Sequence, residues 1–183
     1  MKKAIDIINK GGVLLHKTDT IWGLACDAKN AESIKKIYSI KKRDLNKPLI
    51  ILVSDKKMLN KYVEKVPDNI LSLINKINRL ATIIYPDPKG LPEILTHQGS
   101  IAIRITKNQK CQKIINEINK PIISTSANIS GDPFPKKFSE INSKIKKSVD
   151  YILKEKDNNK ETINKPSSLY KINENQELEY IDR

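Results

Sequence analysis

The sequence is short of cysteine, of aromatic residues and of long hydrophobic runs. Cys26 and Cys111 are its two cysteines, and with His16 and His97 they lack the spacing of a zinc site. Two cysteines are too few for a disulfide framework, so we expect both to be small core residues. No run approaches 18 apolar residues, and the start MKKAIDIINKGG lacks the apolar stretch of a signal peptide. We therefore expect a cytosolic protein without a membrane partner.

Arginine is also rare, because it stands only at positions 43, 79, 104 and 183 among 34 basic residues. The formal net charge of +13 is typical of a protein that binds a nucleotide, a phosphate group or RNA. A coding bias toward lysine, asparagine and isoleucine explains the charge equally well. A chain that so seldom uses arginine is expected to keep it where a planar, bidentate donor is required.

Helical and strand patterns alternate along the 183 residues, which predicts one α/β domain with a twisted, open, mixed sheet flanked by helices. The sheet is expected to be mixed because the last strands are not separated by helices. The polar run KEKDNNKETINK, about residues 154–165, is predicted to be a mobile surface loop. Helices are predicted over 3–10, 31–41, 55–62, 68–78, 108–119 and 138–147, and strands over 13–16, 48–53, 81–85, 100–105, 121–126, 149–153, 168–172 and 178–181.

Four segments place unusual polar residues at the predicted ends of strands or helices: KTDTIWGLACDA at 17–28, IKKRDLNKPL at 40–49, SIAIRIT at 100–106 and ISTSANISG at 123–131. Ligands of an open α/β sheet lie outside strand ends, so these segments are expected to surround one cavity. The serines and asparagine before Gly131 would offer an anion nest. Simpler interpretations stay open: Lys41 and Arg43 could cap a helix dipole, and 123–131 could be a plain turn.

Arg104 lies inside the strand predicted at 100–105, where it alternates with Ile103 and Ile105. Its side chain should therefore point to the face opposite the isoleucines. A basic side chain within so short a strand requires a partner. The alternative is that Arg104 protects an exposed edge strand against pairing.

In this order and spacing, the four segments resemble the YrdC/Sua5/TsaC family, the L-threonylcarbamoyladenylate synthases. The family pattern reads P-T-D/E-T-V-Y-G, K-x-R-P-x-x-K/N-P-L, T-V-A-V-R and S-T-S-A-N-x-S-G. The resemblance covers roughly residues 10–137, with a weaker echo in KPSSLY. It implies that 1–183 forms a short, single YrdC-like domain. Lys17, Trp22, Leu52, Phe134 and INRLAT at 77–82 depart from the pattern, which bears on pocket closure and affinity more than on reaction type.

The resemblance implies an enzyme, a nucleotidyltransferase that forms threonylcarbamoyl-AMP and pyrophosphate from L-threonine, bicarbonate and ATP. Its product would supply the t6A modification at tRNA position 37, with the transfer left to downstream t6A-transfer proteins. Mg²⁺ is expected to arrive with ATP. The alternative is a non-catalytic module that binds tRNA or double-stranded RNA, or a diverged paralogue. The aromatic content of 5% disfavours RNA binding by base stacking.

Carried over motif by motif, the resemblance also implies the site residues. Lys41 and Arg43 would form the catalytic pair at the phosphates, and Asp19 would orient its turn rather than act as a base. No residue is expected to bind a metal directly. The ATP-binding set is Lys41, Arg43, Lys47, Ser100, Ser126, Asn128 and Arg183, and the threonine-binding set is Thr18, Thr20, Arg104 and Ser124.

Overall fold

A computed structural model of the protein describes residues 1–77, 80–153 and 165–181. The loop predicted at about 154–165 falls almost wholly outside the described residues, as do Arg79 and Arg183. The helices are α1 (Lys2–Asn9), α2 (Ala31–Lys41), α3 (Lys56–Leu59), α4 (Asp68–Lys76), α5 (Gln109–Ile118) and α6 (Ser143–Ser148), with 3₁₀ turns at Glu93–Leu95 and Phe138–Glu140. The strands are β1 (Leu14–Lys17), β2 (Trp22–Ala25), β3 (Ile50–Val53), β4 (Ala81–Pro86), β5 (Ser100–Ile105), β6 (Ile122–Ser126), β7 (Tyr151–Ile152), β8 (Ser168–Ile172) and β9 (Leu178–Ile181).

The strands of the described residues form one open sheet in the order β7-β1-β2-β6-β3-β5-β4-β8-β9. Three neighbouring pairs are parallel, namely β1 with β7, β3 with β5 and β4 with β8. The other pairs are antiparallel. The predicted fold class, an α/β protein with an open mixed sheet, is therefore confirmed.

The core lies around the central strand β3, whose residues Ile51, Leu52 and Val53 are fully buried. This is the pattern expected of a short apolar run covered on both faces. Helix α5 adds a buried stripe that includes Cys111 and Ile114 at helical spacing. Both cysteines are buried and unbonded to each other, as expected, and burial raises the pKa of the Cys26 thiol.

One strand, β2, was not predicted from the sequence. It pairs antiparallel with β1, with Lys17 opposite Trp22, so the first motif is a tight hairpin rather than an exit from a single strand. The turn contains none of the usual glycine, asparagine or proline. Instead, the Thr18 hydroxyl accepts hydrogen bonds from the backbone amides of Thr20 and Ile21, at 3.1 and 3.3 Å. The Thr18 side chain therefore stabilises the turn, a role that glycine, asparagine or proline usually has.

The predicted helix at 138–147 is divided in two. The chain makes a 3₁₀ turn at Phe138–Glu140 and then begins α6 at Ser143. Asn142 causes the interruption, because its side chain accepts a hydrogen bond from Lys144 N at 2.9 Å and so caps a new helix. Asp55 caps α3 as predicted, through Met58 N at 2.7 Å, but this helix ends earlier than predicted, at Leu59.

Candidate active site

A cavity of about 530 Å³ lies on one face of the sheet. Ala102 of β5 is paired with Ile50 of β3 and Ile84 of β4, and Ile50 is also paired with Ser124 of β6. These directly paired residues share one face of the pleated sheet, and all four line the cavity. Its volume falls within the range of roughly 300–1,000 Å³ that is usual for small-molecule sites.

Eight of the predicted site residues line this cavity: Thr18, Thr20, Arg43, Lys47, Ser100, Arg104, Ser124 and Ser126. All four motif segments therefore converge on it. Fourteen lining residues were not predicted, among them Asn46, Pro48, His97, Thr125, Pro166 and Ser167. Asn46, Pro48 and Thr125 lie within the motifs, and Pro166 and Ser167 lie in KPSSLY, so the motifs could have identified these residues as part of the site. His97 lies in no motif, and no pattern in the sequence indicated it.

Two predicted residues do not line the cavity, and a third lies outside the described residues. Lys41 and Asn128 belong to the described residues but do not line the cavity, although they contact each other and Lys41 also contacts Ser126. Arg183 lies outside the described residues. Their contacts with substrate stay predictions.

Arg104 has the acidic partner that its position in a strand requires. Its guanidinium is 4% exposed, and Nη1 lies 2.9 Å from Oδ1 of Asp19, which is 11% exposed. The two atoms form an ion pair without the alignment of a hydrogen bond. Arg104 Nε and Nη1 are therefore buried and have no hydrogen-bond acceptor among the described residues. An incoming carboxylate could accept a charge-assisted hydrogen bond from the free Nε donor.

Asp19 connects two elements of the site. Its Oδ2 accepts hydrogen bonds from Thr106 Oγ1 at 3.2 Å and from Lys107 N at 3.1 Å, while Oδ1 faces Arg104. The β1–β2 turn is thus held against the end of β5. These contacts agree with the orienting role predicted for this aspartate.

Arg43 shapes the rim of the cavity at the end of α2. The helix closes with Lys42 in the left-handed conformation, at φ 47°. Arg43 Nε then donates to the carbonyl of Lys47 at 2.9 Å, and Nη2 donates to the carbonyl of Pro48 at 3.1 Å. Burial lowers the pKa of Arg43, but an arginine stays protonated. Its side-chain hydrogen bonds go to the loop that follows α2 rather than to the last carbonyls of the helix.

Lys41 is one of the largest fully buried side chains, at 1% exposure. Its Nζ donates to the carbonyls of Ser126 and Asn128 at 2.5 and 2.8 Å, and to Oδ1 of Asn128 at 3.2 Å. Burial, followed by the positive charge of Arg43, lowers the pKa of this ammonium to about 7.

The described residues offer no direct metal site. They contain no cluster of three or more histidine, cysteine, aspartate or glutamate side chains arranged to hold an ion. No acidic side chain in this part of the chain lines the cavity, whose polar groups are cations, hydroxyls, amides and an imidazole. None of the helices in the described ranges is sufficiently long and apolar to span a bilayer.

Fold and cavity together define an α/β protein with a mixed sheet and a cationic, hydroxyl-rich pocket on one sheet face. The chain belongs to the Sua5/YciO/YrdC family, described as telomere recombination, whose profile matches residues 6–181. The family resemblance inferred from four motifs is therefore confirmed.

Curated relatives cover most of this chain. A threonylcarbamoyl-AMP synthase of Pseudoalteromonas translucida is 31% identical over 156 residues, which are 83% of this chain and 83% of the relative. A second relative, from Methanocaldococcus jannaschii, is provisionally named threonylcarbamoyl-AMP synthase. It is 36% identical over 177 residues, which are 93% of this chain and 81% of the relative.

Solved structures agree on the fold. P. abyssi Sua5 complexed with L-threonine superposes with a TM-score of 0.82 at 24% identity, over 93% of this chain and 50% of Sua5. The chain thus spans about half the length of that protein. E. coli YciO superposes with a TM-score of 0.76 at 21% identity, over 94% of this chain and 84% of YciO.

Proposed function

We propose that this protein is an enzyme that forms threonylcarbamoyl-AMP and pyrophosphate from L-threonine, bicarbonate and ATP. The proposal is carried by one observation: cations and hydroxyl groups from four separate motifs line a single cavity of about 530 Å³. It is supported by relatives with the threonylcarbamoyl-AMP synthase name that are at least 30% identical over four-fifths of the chain or more.

The threonine is proposed to bind at the end of the cavity formed by β5 and the β1–β2 turn. Arg104 would bind the carboxylate through its free Nε donor. The hydroxyls of Thr18 and Thr20 lie 2.8 Å apart, and with Ser124 they line the cavity, where a small hydroxylated amino acid could exchange hydrogen bonds with them.

The triphosphate is proposed to lie along the rim formed by Arg43 and Lys47, with Ser100 and Ser126 as hydroxyl partners. All four residues line the cavity, and the Arg43 fork keeps donors beyond the two that it gives to backbone carbonyls. The lining cations are suited to the charge that builds up on the transferred phosphorus and on the departing pyrophosphate.

The reaction proposed for this cavity needs positioning more than a strong base. The threonine amine and bicarbonate give a carbamate and water. A carbamate oxygen then attacks the α-phosphorus of ATP in line, the bond to the β-phosphate breaks, and pyrophosphate departs with its electron pair. A carbamate is short-lived in bulk water, so a cavity walled by several elements would protect it.

Mg²⁺ is proposed as the counter-ion of ATP, held by phosphate oxygens. The residues present do not fit a metal site of the protein's own, because the described cavity wall carries no carboxylate. We further propose that the product is consumed in the cytoplasm by t6A-transfer proteins that modify tRNA.

The RNA-binding alternative has only the charge of +13 in its favour.

Purified protein should release pyrophosphate only when ATP, threonine and bicarbonate are all present. Each omission should bring the release to background, because the attacking group is made from two substrates and the leaving group from the third. Coupled phosphate detection measures the pyrophosphate, and mass spectrometry identifies the adenylate. Release that is independent of threonine, or tight RNA binding without turnover, would contradict the proposal.

Gly23→Ala is expected to lower turnover about tenfold and to reduce the free energy of unfolding by about 1–3 kcal/mol, as overpacking does. Gly23 lines the cavity opposite Ser126, and an added Cβ would lie only 2.9 Å from the carbonyl oxygen of Thr125. The β2–β6 pairing would have to move, and Ser126 with it. Turnover and urea unfolding measure the two effects.

Gly90→Ala is the matched control for this loss of stability. Gly90 has a φ of +66°, so alanine is strained there, but its Cβ would meet nothing within 4 Å. Stability should fall while turnover is kept. Wild-type turnover in the Gly23 variant would show that the strand pairing tolerates a side chain at this point.

A further inference from the structure

The buried ammonium of Lys41 lies behind the wall of the cavity. Its side chain reaches from the end of α2 to the junction after β6, where it meets the carbonyls of Ser126 and Asn128 and the Asn128 side-chain oxygen. It is 1% exposed. The segment that it contacts carries Ser126, which does line the cavity.

The donors of Lys41 match the acceptors around it. A lysine ammonium has three N–H groups, and three oxygen atoms surround this one within 3.2 Å. No donor is left over for a phosphate oxygen. A phosphate could gain a hydrogen bond from Lys41 only if one of these buried oxygens lost its own, at the cost of an unsatisfied acceptor.

The same residue also holds the far side of the junction. The backbone carbonyl of Lys41 accepts a hydrogen bond from Ser130 N at 2.8 Å. Side chain and main chain of one residue thus fix the carbonyls at 126 and 128 and the amide at 130. The carbonyls converge on a cation, which fixes the peptide planes that follow Ser126 and Asn128 and so the direction of the Ser126 side chain.

We propose that Lys41 is a positioning residue, which acts on the phosphate end of the cavity through Ser126 and the 126–130 segment and not by touching the phosphates. The inference rests on the proposed function and changes the role that the sequence motif assigns to this lysine. Phosphate contact is left to Arg43 and Lys47, which line the cavity.

Chemical labelling of lysines tests the placement without any need for turnover. Wild-type protein is reductively methylated with and without ATP, and each lysine is followed by mass spectrometry. We expect Lys41 to stay unmodified in both conditions, because it is buried. The exposed Lys47 should be methylated in free protein and protected by ATP. Methylation of Lys41 in free protein, suppressed by ATP, would overturn the proposal.

Substitution tests how the residue acts. Lys41→Met keeps the length and apolar stem but removes the cation. We expect kcat/KM for ATP to fall about tenfold to hundredfold, since two backbone carbonyls and an amide oxygen lose their shared donor. Threonine affinity, measured by calorimetry, should stay within about twofold, because the polar contacts of Arg104 and Asp19 among the described residues go to each other, to Thr106 and to Lys107. A general loss of the folded structure would instead weaken the binding of both ATP and threonine.

Hydrogen exchange separates positioning from direct contact. In Lys41→Met, the amides of 126–130 should exchange about tenfold faster or more in the absence of ATP, while those of the central strand β3 should not change. Lys47→Met should weaken ATP binding without any change in the exchange rates of the amides at 126–130. Unchanged amide exchange at 126–130 in Lys41→Met, together with a loss of ATP affinity, would overturn the proposal. It would indicate that Lys41 contacts the phosphates directly.

Lys35→Met is the matched control on the same helix. Lys35 is exposed and pairs with Glu32 alone among the described residues, so its loss should leave all readouts at wild-type values. If the wild type released no pyrophosphate, the proposed function would fail, whereas the labelling and exchange experiments would still decide where Lys41 acts.

Discussion

Replacing Arg43 with alanine should lower turnover by about a hundredfold or more, as the loss of a group that stabilises developing charge does. Two effects combine in this substitution. The cavity loses a fixed cation, and the carbonyls of Lys47 and Pro48 lose the donors that hold the rim in place. Steady-state pyrophosphate release under saturating substrates measures the effect.

Two further variants divide these effects. Arg43→Lys keeps the charge but cannot bind both rim carbonyls and a phosphate at once, so intermediate turnover is expected. Lys42→Ala removes a neighbouring exposed cation and should leave turnover unchanged. Wild-type turnover in Arg43→Ala would show that neither the charge nor the rim matters for the reaction.

Arg104→Lys should weaken threonine binding about tenfold to hundredfold while leaving the KM for ATP nearly unchanged. The lysine keeps a positive charge beside Asp19 but loses the Nε donor that is free in the structure. Each hydrogen bond to a charged group contributes about 1.5–3 kcal/mol, which sets the scale of the effect. Calorimetric titration with threonine gives the affinity directly.

Arg104→Met should be more severe, because it leaves the buried Oδ1 of Asp19 without its counter-charge. Breaking a buried ion pair from one side costs about 3–5 kcal/mol of unfolding free energy. Lys107→Met is the control: its backbone amide binds Asp19, but its side chain is exposed, so threonine binding should be kept. Equal losses for threonine and ATP in Arg104→Lys would count against a role in threonine recognition.

Local signals in the sequence identified most elements of the fold. The helix from Ala31 to Lys41 has the predicted bounds, and it is capped by Asn30, whose side chain accepts a hydrogen bond from Ser33 N. The strand that carries Arg104 was also predicted with its correct bounds, because isoleucine alternates with other residues along it. Both signals depend on neighbours within a few residues.

Other features depend on contacts that no local pattern carries. The hairpin strand β2 was missed because the hydroxyl of Thr18 replaces the usual turn residues. The site motifs identified residues that meet in one place, but not the detail that Lys41 points behind the cavity wall while Arg43 lies along it. That distinction is set by where β6 ends relative to α2, two elements about 85 residues apart along the chain.

The cavity wall draws on residues from Thr18 to Leu169, so it exists only after both halves of the sheet have formed. Occupancy and folding are therefore coupled by mass action. A substrate present at a hundredfold excess over its dissociation constant would raise the unfolding free energy by about 2.7 kcal/mol. In a cell rich in nucleotide, bound substrate would therefore contribute part of the free energy that keeps the protein folded.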